Sequence, residues 1–221
     1  MKILIIGDDA HYDELQAKFG AGHQYSVIGI HRDAEKFLDA NDLTFDFTID
    51  EQPDQLAMYA KRSVTVFLNT CKLSLSELTH LSRAGMKCTL FGFNGLPTFL
   101  NREIFEVCLL AKSDEPRLKQ LCADLKTEYL LVEDRVGLVT PRVISMIINE
   151  AYYAVQDGTA TREDIDMAMK LGTNYPFGPF EWSRRIGIRH IYEMLEALYD
   201  DTHDERYKIC PLLKKEYLKT L

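Results

Sequence analysis

Short runs of apolar residues alternate with helix-like patterns up to about residue 133. The first run, residues 2–6, is continuously apolar, which is typical of a strand buried on both faces of a parallel sheet. Several later runs are followed by segments with the 3.6-residue period of an amphipathic helix. The predicted strands are residues 2–6, 25–30, 45–49, 64–68, 88–93, 104–110 and 129–132. This alternation predicts a mostly parallel sheet covered by helices.

Helix signals lie between the strand runs. Ser74 and Glu77 have the spacing of a capping box ahead of a run of leucines. Residues 113–116, with the sequence SDEP, combine a cap, two acids and an early proline, as a helix start does. The predicted helices in this part of the chain are residues 13–19, 73–81 and 113–125.

Beyond residue 136 the strand pattern stops and helical periodicity replaces it. Thr140 and Pro141 predict the N-cap and first residue of a long helix. Thr161 predicts the cap of the next helix, which Gly172 would end, and Ile165, Ala168 and Met169 would face inward. Two more helices are predicted over residues 191–198 and 211–221. The fold class is therefore α/β: a Rossmann-like sheet domain over residues 1–135, followed by an all-α domain over residues 136–221.

The composition excludes several classes of protein to which this chain could belong. Apolar residues make up 46 % of the 221 residues and charged residues 27 %, which is an ordinary globular balance. The net charge is −8, so we expect no nucleic-acid partner. No apolar stretch reaches the length of a membrane span, so we expect no membrane partner. The five cysteines form no CxxC pair and the six histidines no metal-spaced pair. They predict reduced thiols in the cytoplasm and no metal site.

The turn after the first strand is where a dinucleotide fingerprint would lie. That fingerprint needs small residues at three positions, and Gly7 alone is kept. Asp9 stands where bare backbone should approach the pyrophosphate, and Tyr12 stands where a missing side chain lets helix and strand pack closely. His31 replaces the acidic ribose ligand expected after the second strand. The residues predict a Rossmann architecture that has lost most of its nucleotide-binding chemistry.

The helical part carries a specific motif. Residues 171–182, LGTNYPFGPFEW, resemble the LGxxYPxGPFE signature of the C-terminal domain of 3-hydroxyacyl-CoA dehydrogenases. Neighbouring segments on both sides of this motif also match the family, and the resemblance covers about residues 137–217. Upstream it extends through Asn69–Thr70, residues 91–94 and residues 105–107. It implies a Rossmann-type domain with a helical dimerisation domain, NAD as cofactor, and oxidation of L-3-hydroxyacyl-CoA to 3-ketoacyl-CoA in fatty-acid metabolism.

The resemblance also implies where the catalytic residues lie. In the family, a His abstracts the hydroxyl proton, a Glu orients its imidazole, and a Ser and an Asn hold the substrate oxygen. The matching positions are Phe91 for the His, Glu106 for the Glu, Cys71 for the Ser and Pro141 for the Asn. Glu106 alone is kept, which indicates a degenerate active site.

Each of these residues also has a structural interpretation. Phe91 is typical of a buried strand, Pro141 of a helix start, and Cys71 of a small buried thiol. Glu106 is either a remnant of the active site or a structural carboxylate.

Three functions remain open from the sequence. The chain is a catalytically impaired member that binds acyl-CoA or a partner protein, a working NAD-dependent dehydrogenase, or a structural subunit that pairs with an active homologue. A homodimer through the helical domain is expected, because Val143, Met146 and Tyr153 form a second apolar face on the first long helix.

Overall fold

A computed structural model describes residues 1–82 and 85–221 of the chain. It divides into two compact units, Met1–Leu138 and Val139–Leu221. The division lies three residues beyond the boundary at residue 135 that the sequence indicates. Each unit is built around its own type of secondary structure.

The first unit contains one seven-stranded sheet in the described residues. Its order is β2-β1-β3-β4-β5-β6-β7. Neighbouring strands pair in parallel except β5 and β6, which are antiparallel. The strands are β1 Lys2–Ile6, β2 Gln24–Ile28, β3 Leu43–Asp46, β4 Thr65–Asn69, β5 Thr89–Phe93, β6 Ile104–Leu109 and β7 Glu128–Val132. This confirms the mostly parallel, Rossmann-like sheet.

Helices of the first unit connect these strands. They are α1 Asp9–Phe19, α2 His31–Ala34, α3 Ala57–Ala60, α4 Leu75–Ser82 and α5 Glu115–Asp124. The capping box before α4 is present, since the Ser74 amide donates to Glu77 Oε2 at 2.8 Å and the Glu77 amide donates to Ser74 Oγ at 3.1 Å. Helix α1 starts four residues earlier than predicted, because Asp8 caps it. The one-turn helices α2 and α3 are too short to produce a periodic pattern, and the sequence did not predict them.

Both faces of the sheet are covered. One face carries an aromatic layer, together with apolar residues of α1 and α5. Within it, the rings of Phe45 and Phe67 stack with their centroids 4.9 Å apart. The other face is aliphatic and receives residues of α2 and α4, among them Ala34, Leu75 and Leu78. Burial on both faces explains why β1 is apolar at every position after Lys2.

The second unit is all-α in its described residues, as the sequence predicts. Its helices are α6 Thr140–Gln156, α7 Arg162–Thr173, α8 Pro179–Ile186, α9 Ile188–Thr202 and α10 Pro211–Tyr217. Helix α6 lies at the centre and contacts α8, α9 and α10. Helix α8 was not predicted from the sequence, and details of α6 and α7 also differ. Ala168, which was predicted to face inward, is exposed. Val139 rather than Thr140 is the N-cap of α6, and α7 runs past Gly172 to end at Asn174, whose φ of 57° is left-handed. No described helix in either unit has the length and apolar content to cross a bilayer.

The motif of residues 171–182 forms the corner between α7 and α8. The buried carboxylate of Asp166 accepts hydrogen bonds from the amides of Phe180, at 2.7 Å, and Glu181, at 3.2 Å, and so caps the start of α8. Gly178 packs against this carboxylate, and a Cβ there would lie 2.3 Å from Asp166 Oδ1. Lys170 also pairs with Glu181 at 2.7 Å. The motif residues therefore build a helix corner.

Candidate functional site

The turn that would hold a dinucleotide is occupied by side chains of this chain. Asp8 Oδ1 accepts a hydrogen bond from the His11 amide at 3.1 Å, and the Asp8 amide donates to His11 Nδ1 at 3.1 Å. The imidazole of His11 folds over Gly7, where a Cβ would lie 2.8 Å from Nδ1. The same ring packs on Phe47 with a centroid distance of 4.2 Å. Space that a glycine would leave for phosphate is thus filled by His11.

The charge at this turn is also unfavourable for phosphate. Burial pushes the pKa of the Asp8 carboxyl up, but the hydrogen bond from the His11 amide, the nearby imidazole and the Ala10 amide together hold it below its usual value. Asp8 is therefore an anion at the N-terminus of α1. A helix N-terminus attracts anions, and here the chain's own carboxylate already satisfies it.

Of the other residues that the sequence analysis placed at the nucleotide-binding positions, Tyr12 and His31 pack within the chain and Asp9 is exposed. The Tyr12 ring meets Tyr25 of β2 edge-on at 5.7 Å, and Tyr12 Oη accepts from Gln16 Nε2 at 2.6 Å. Asp9 is exposed in the first turn of α1. His31 follows β2 by three residues and is 2 % exposed, so the ring faces the interior.

His31 belongs to a buried network with Asp46 at the end of β3. His31 Nε2 lies 2.9 Å from Asp46 Oδ2, and Tyr59 Oη donates to the same oxygen at 2.8 Å. Asp46 Oδ1 accepts from the amide of Thr48 at 3.0 Å. Asp46 is fully buried and its carboxylate is hydrogen-bonded at both oxygens. The network ties α2 and α3 to the end of β3.

Two pKa values within this network are raised. Burial lowers the pKa of His31, but the hydrogen bond and charge of Asp46, with a further contribution from Gln52, outweigh it. Burial and the adjacent Asp46 charge raise the pKa of Tyr59 well above its usual value, so the phenol remains a donor. The raised pKa favours the protonated imidazole, whose charge offsets that of the buried carboxylate.

The carboxyl ends of β4 and β5 form a second polar cluster. Cys71 Sγ donates to Asn94 Oδ1 at 3.4 Å, and the Leu96 amide donates to the same oxygen at 3.2 Å. Asn69 Nδ2 donates to Asp50 Oδ2 at 3.2 Å, and Asn69 Oδ1 accepts from the Gly95 amide. These amide side chains are thus engaged with the chain itself.

Cys71 is not a nucleophile in this environment. It is fully buried, and burial, followed by the charges of Asp50 and Glu106, raises its pKa far above the usual thiol value. Because the thiolate is the reactive form, a thiol held protonated is inert. The structure thus brings Cys71, Asn94 and Glu106 into one neighbourhood, where the Asn94 amide also donates to the Glu106 carbonyl at 3.4 Å.

Phe91 and Glu106 do not face each other. Phe91 lies in the aromatic layer, 5.0 Å from the Phe67 ring. Phe93 pairs with Val107 across β5 and β6, so Phe91, Phe93 and Val107 share one face of the sheet. Glu106, which is 8 % exposed, precedes Val107 and points to the opposite face. Pro141 is the second residue of α6 and belongs to the second unit. Within the first unit, the positions of Phe91 and Glu106 therefore lie on opposite faces of the sheet.

The residues that the structure describes assemble no metal site. Over the part of the chain that the structure describes, no three His, Cys, Asp or Glu side chains lie close enough to hold a metal ion. The five cysteines are free thiols.

Comparison with known proteins agrees with the fold. The family model of the 3-hydroxyacyl-CoA dehydrogenase C-terminal domain matches residues 137–219. A probable 3-hydroxybutyryl-CoA dehydrogenase of Bacillus subtilis is 34 % identical over 154 residues, which is 68 % of this chain and 53 % of that protein. The structure of (S)-3-hydroxybutyryl-CoA dehydrogenase from Ralstonia eutropha superposes with a TM-score of 0.72 at 18 % identity, over 99 % of this chain and 94 % of that one.

A second solved structure, 3-hydroxybutyryl-CoA dehydrogenase of Escherichia coli, has a TM-score of 0.59 at 27 % identity, over 70 % of this chain and 32 % of that one. A Rossmann-like sheet unit followed by an all-α unit is thus the two-unit fold that this chain shares with these solved structures. More specifically, the chain belongs to the 3-hydroxyacyl-CoA dehydrogenase family. It spans between 19 % and 56 % of the length of three of the curated relatives that it matches.

Sequence reasoning missed the buried network and the position of the His11 ring. His31, Asp46 and Tyr59 come from three separate elements, and their spacing along the chain carries no signal that they meet. The contact of His11 with Gly7 had a weak signal, since a helix cap such as Asp8 commonly pairs with the residue three positions later.

The free energy of unfolding should depend on His31 at neutral pH. The folded-state pKa of His31 lies above its unfolded value of about 6.5, so its contribution is full below that pH. The contribution is lost as the pH rises through the folded-state value. Urea unfolding between pH 5.5 and 8.5 should show this decline in the wild type and not in His31→Asn, whereas the exposed control His203→Asn should keep it. Equal pH slopes for wild type and His31→Asn would contradict the assignment.

Phe91→His should destabilise the fold without creating a catalytic base. The imidazole would enter the aromatic layer with no hydrogen-bond partner, which costs about 1–3 kcal/mol. Phe91→Leu, an apolar control, introduces no polar group into this layer. Urea unfolding of both variants measures the difference, and a Phe91→His protein as stable as the Leu control would show that the ring reaches a polar neighbour.

Proposed function

We propose that this chain is a catalytically impaired member of the 3-hydroxyacyl-CoA dehydrogenase family, acting in acyl-CoA metabolism as an acyl-CoA-binding or partner-binding subunit. The observation that carries the proposal is the closed nucleotide turn: the Asp8 carboxylate caps α1 and the His11 ring covers Gly7. A cofactor with a pyrophosphate would have to displace both side chains.

NAD is the cofactor that the family implies, and the residues present do not fit it. The charge of Asp8 opposes a phosphate at the helix start, and His11 fills the volume above the glycine. His31 is turned inward to Asp46, so it offers no group to a ribose at the surface. Asp8 and His11 lie between Gly7 and Tyr12 of the fingerprint, and His31 stands at its ribose position.

Residues that the dehydrogenation reaction uses in the family are also replaced in this chain. Removing the hydroxyl proton requires a base near neutral pH. The position matched to that base is the buried Phe91, and the retained Glu106 lies on the other face of the sheet. Loss of a general base typically costs 10²–10⁴-fold in rate, and the substituted carbonyl contacts at Cys71 and Pro141 add to that loss.

Binding of acyl-CoA and of a second subunit is proposed from the family. The helical unit matches the family's C-terminal domain, and the relatives are named for CoA thioester substrates. We also propose a homodimer through this unit and a cytoplasmic location, which the free thiols favour.

An active NAD-dependent dehydrogenase is the second candidate. The similarity to the Bacillus protein and the retained Glu106 favour it. A structural subunit that pairs with an active homologue is the outcome left if neither NADH nor acyl-CoA binds.

NADH should bind weakly or not at all. Fluorescence titration of the purified protein should show no saturable enhancement at micromolar concentrations, with the E. coli 3-hydroxybutyryl-CoA dehydrogenase as positive control. A calorimetric titration with acetoacetyl-CoA, run in parallel, tests the acyl-CoA role separately. Saturable NADH binding in the micromolar range would overturn the closed-turn argument.

Oxidation of 3-hydroxybutyryl-CoA should be undetectable above background, because the base, the cofactor turn and the carbonyl contacts are all changed and such groups act as a unit. Absorbance of NADH at saturating NAD and substrate measures this. Enzyme-dependent NADH formation that Glu106→Ala abolishes would establish the active dehydrogenase instead.

A further inference from the structure

Strand β7 forms one edge of the sheet and exposes apolar side chains there. Within the described residues it pairs with β6 along one side and with no strand along the other. Leu130 at its centre is 50 % exposed, and the adjacent Leu131 is 39 % exposed. The outer backbone groups of an edge strand are a template for a further strand, and charges or prolines commonly block such pairing. The centre of β7 carries neither a charge nor a proline.

The opposite edge of the same sheet is polar. Strand β2 exposes Gln24 and Ser26, whereas the alternate residues Tyr25 and Val27 are half-buried. This is the pattern of an edge strand that faces water on its exposed positions. The two edges of one sheet therefore present different surfaces, and the apolar one belongs to β7.

The apolar surface of β7 continues onto β6. Ile104 pairs with Glu128 and Glu106 pairs with Leu130, so Ile104 and Leu130 are diagonal neighbours on one face of the sheet. Ile104 is 54 % exposed. Cys108, four residues after Ile104 and on the same face, belongs to the aliphatic core cluster. The patch of Ile104 and Leu130 is therefore an uncovered extension of the aliphatic face.

A groove lies at the carboxyl ends of β6 and β7. It is a surface depression of about 650 Å³, and Leu110 and Leu131 contribute to its apolar lining. Its charged lining residues are Lys112, Glu115, Glu133 and Asp134. The Asp134 carboxylate already accepts hydrogen bonds from two amides at the start of α4, at 2.7 and 2.9 Å. With three carboxylates and one ammonium, the groove is negatively charged.

We propose that an extended segment of a partner protein adds to β7 as a further strand, with apolar side chains beside Leu130 and a Lys or Arg side chain in the groove. This inference rests on the partner-binding role in the proposed function, and it names the surface and the chemistry of the partner. In strand addition, backbone hydrogen bonds supply affinity and pockets beside the strand select side chains. The groove is that pocket here, and its carboxylates select a cation.

Charge argues against a second copy of this chain at this edge. An antiparallel pair of β7 strands centred on the two leucines would set Glu128 of one copy opposite Glu133 of the other, at both ends of the pair. Like charges directly opposite each other destabilise a sheet. The net charge of −8 adds repulsion between copies at longer range. A basic segment meets attraction at the same positions.

Fluorescence anisotropy of labelled synthetic peptides, titrated with the full chain, tests this inference. The probe alternates Val and Thr and carries Lys at one end. Two versions, with Lys at the amino or the carboxyl end, cover both strand directions. We expect saturable binding of one version at micromolar concentrations, and about tenfold or more weaker binding when Glu replaces its Lys. Added salt should weaken the binding, because it screens charge pairs at the surface.

Two variants on the proposed surface should each raise the dissociation constant of the Lys peptide about tenfold or more. Leu130→Lys places a charge at the centre of the edge, and Glu133→Lys places a cation in the groove. The matched control Ser26→Lys puts the same charge on β2 and should leave the dissociation constant near the wild-type value. Circular dichroism confirms that each variant folds. Hydrogen exchange should show that the bound peptide slows amide exchange in β7 and not in β2.

Three outcomes would overturn the inference. The first is that neither Lys peptide binds saturably, and the second is that wild type and Leu130→Lys bind it equally well. The third is a wild-type mass near twice 25.4 kDa that Leu130→Lys returns to 25.4 kDa in light scattering, which would assign the edge to a second copy. A failed peptide titration rejects this surface alone, because the calorimetric titration with acetoacetyl-CoA decides the acyl-CoA role separately.

Discussion

Parallel strands leave polar groups together at the carboxyl edge of a sheet, and these groups need partners. In Rossmann-type enzymes the cofactor and substrate bind at this edge. Here the chain supplies the partners itself: Asp8 caps α1, Asp46 is bonded by His31 and Tyr59, and Asn94 is bonded by Cys71. The polar groups that would bind a ligand at this edge in an enzyme are here hydrogen-bonded to other residues of the chain. In the function that we propose, the loss of cofactor fit and the stability of this edge have one physical origin.

The sheet provides the second part of this explanation. An aromatic layer containing Phe45, Phe67, Phe91 and Phe105 fills the face towards α1 and α5. Ring pairs of this kind add about 0.5–1.5 kcal/mol each beyond the area they bury. A catalytic residue in that layer would lose this packing and gain no water or partner. The phenylalanine at position 91 thus fits the core of this chain, and the base that the resemblance implies at this position would not.

Much of the fold was predictable, because each long element carries a periodic pattern or a cap. The strands and the box of Ser74 and Glu77 follow from a few adjacent residues. The one-turn helices α2 and α3 are too short to leave a period. The network of His31, Asp46 and Tyr59 joins residues from three elements, so no local sequence pattern predicts it. The sequence was enough to show that a phenylalanine stands at position 91, where the resemblance implies a histidine. That Phe91 and Glu106 lie on opposite faces of the sheet could be established only from the strand register.

The corner between α7 and α8 has a consequence for how such chains are recognised. Asp166 caps α8 through two backbone amides, and Gly178 leaves room for its carboxylate. Residues 171–182, the most specific stretch of sequence in this protein, therefore direct the folding of one turn between two helices. Genome surveys that identify family members by this stretch therefore identify a helix corner of the fold. If the function that we propose is right, a survey of metabolic capacity should also examine the glycine turn after β1, where a dinucleotide would bind.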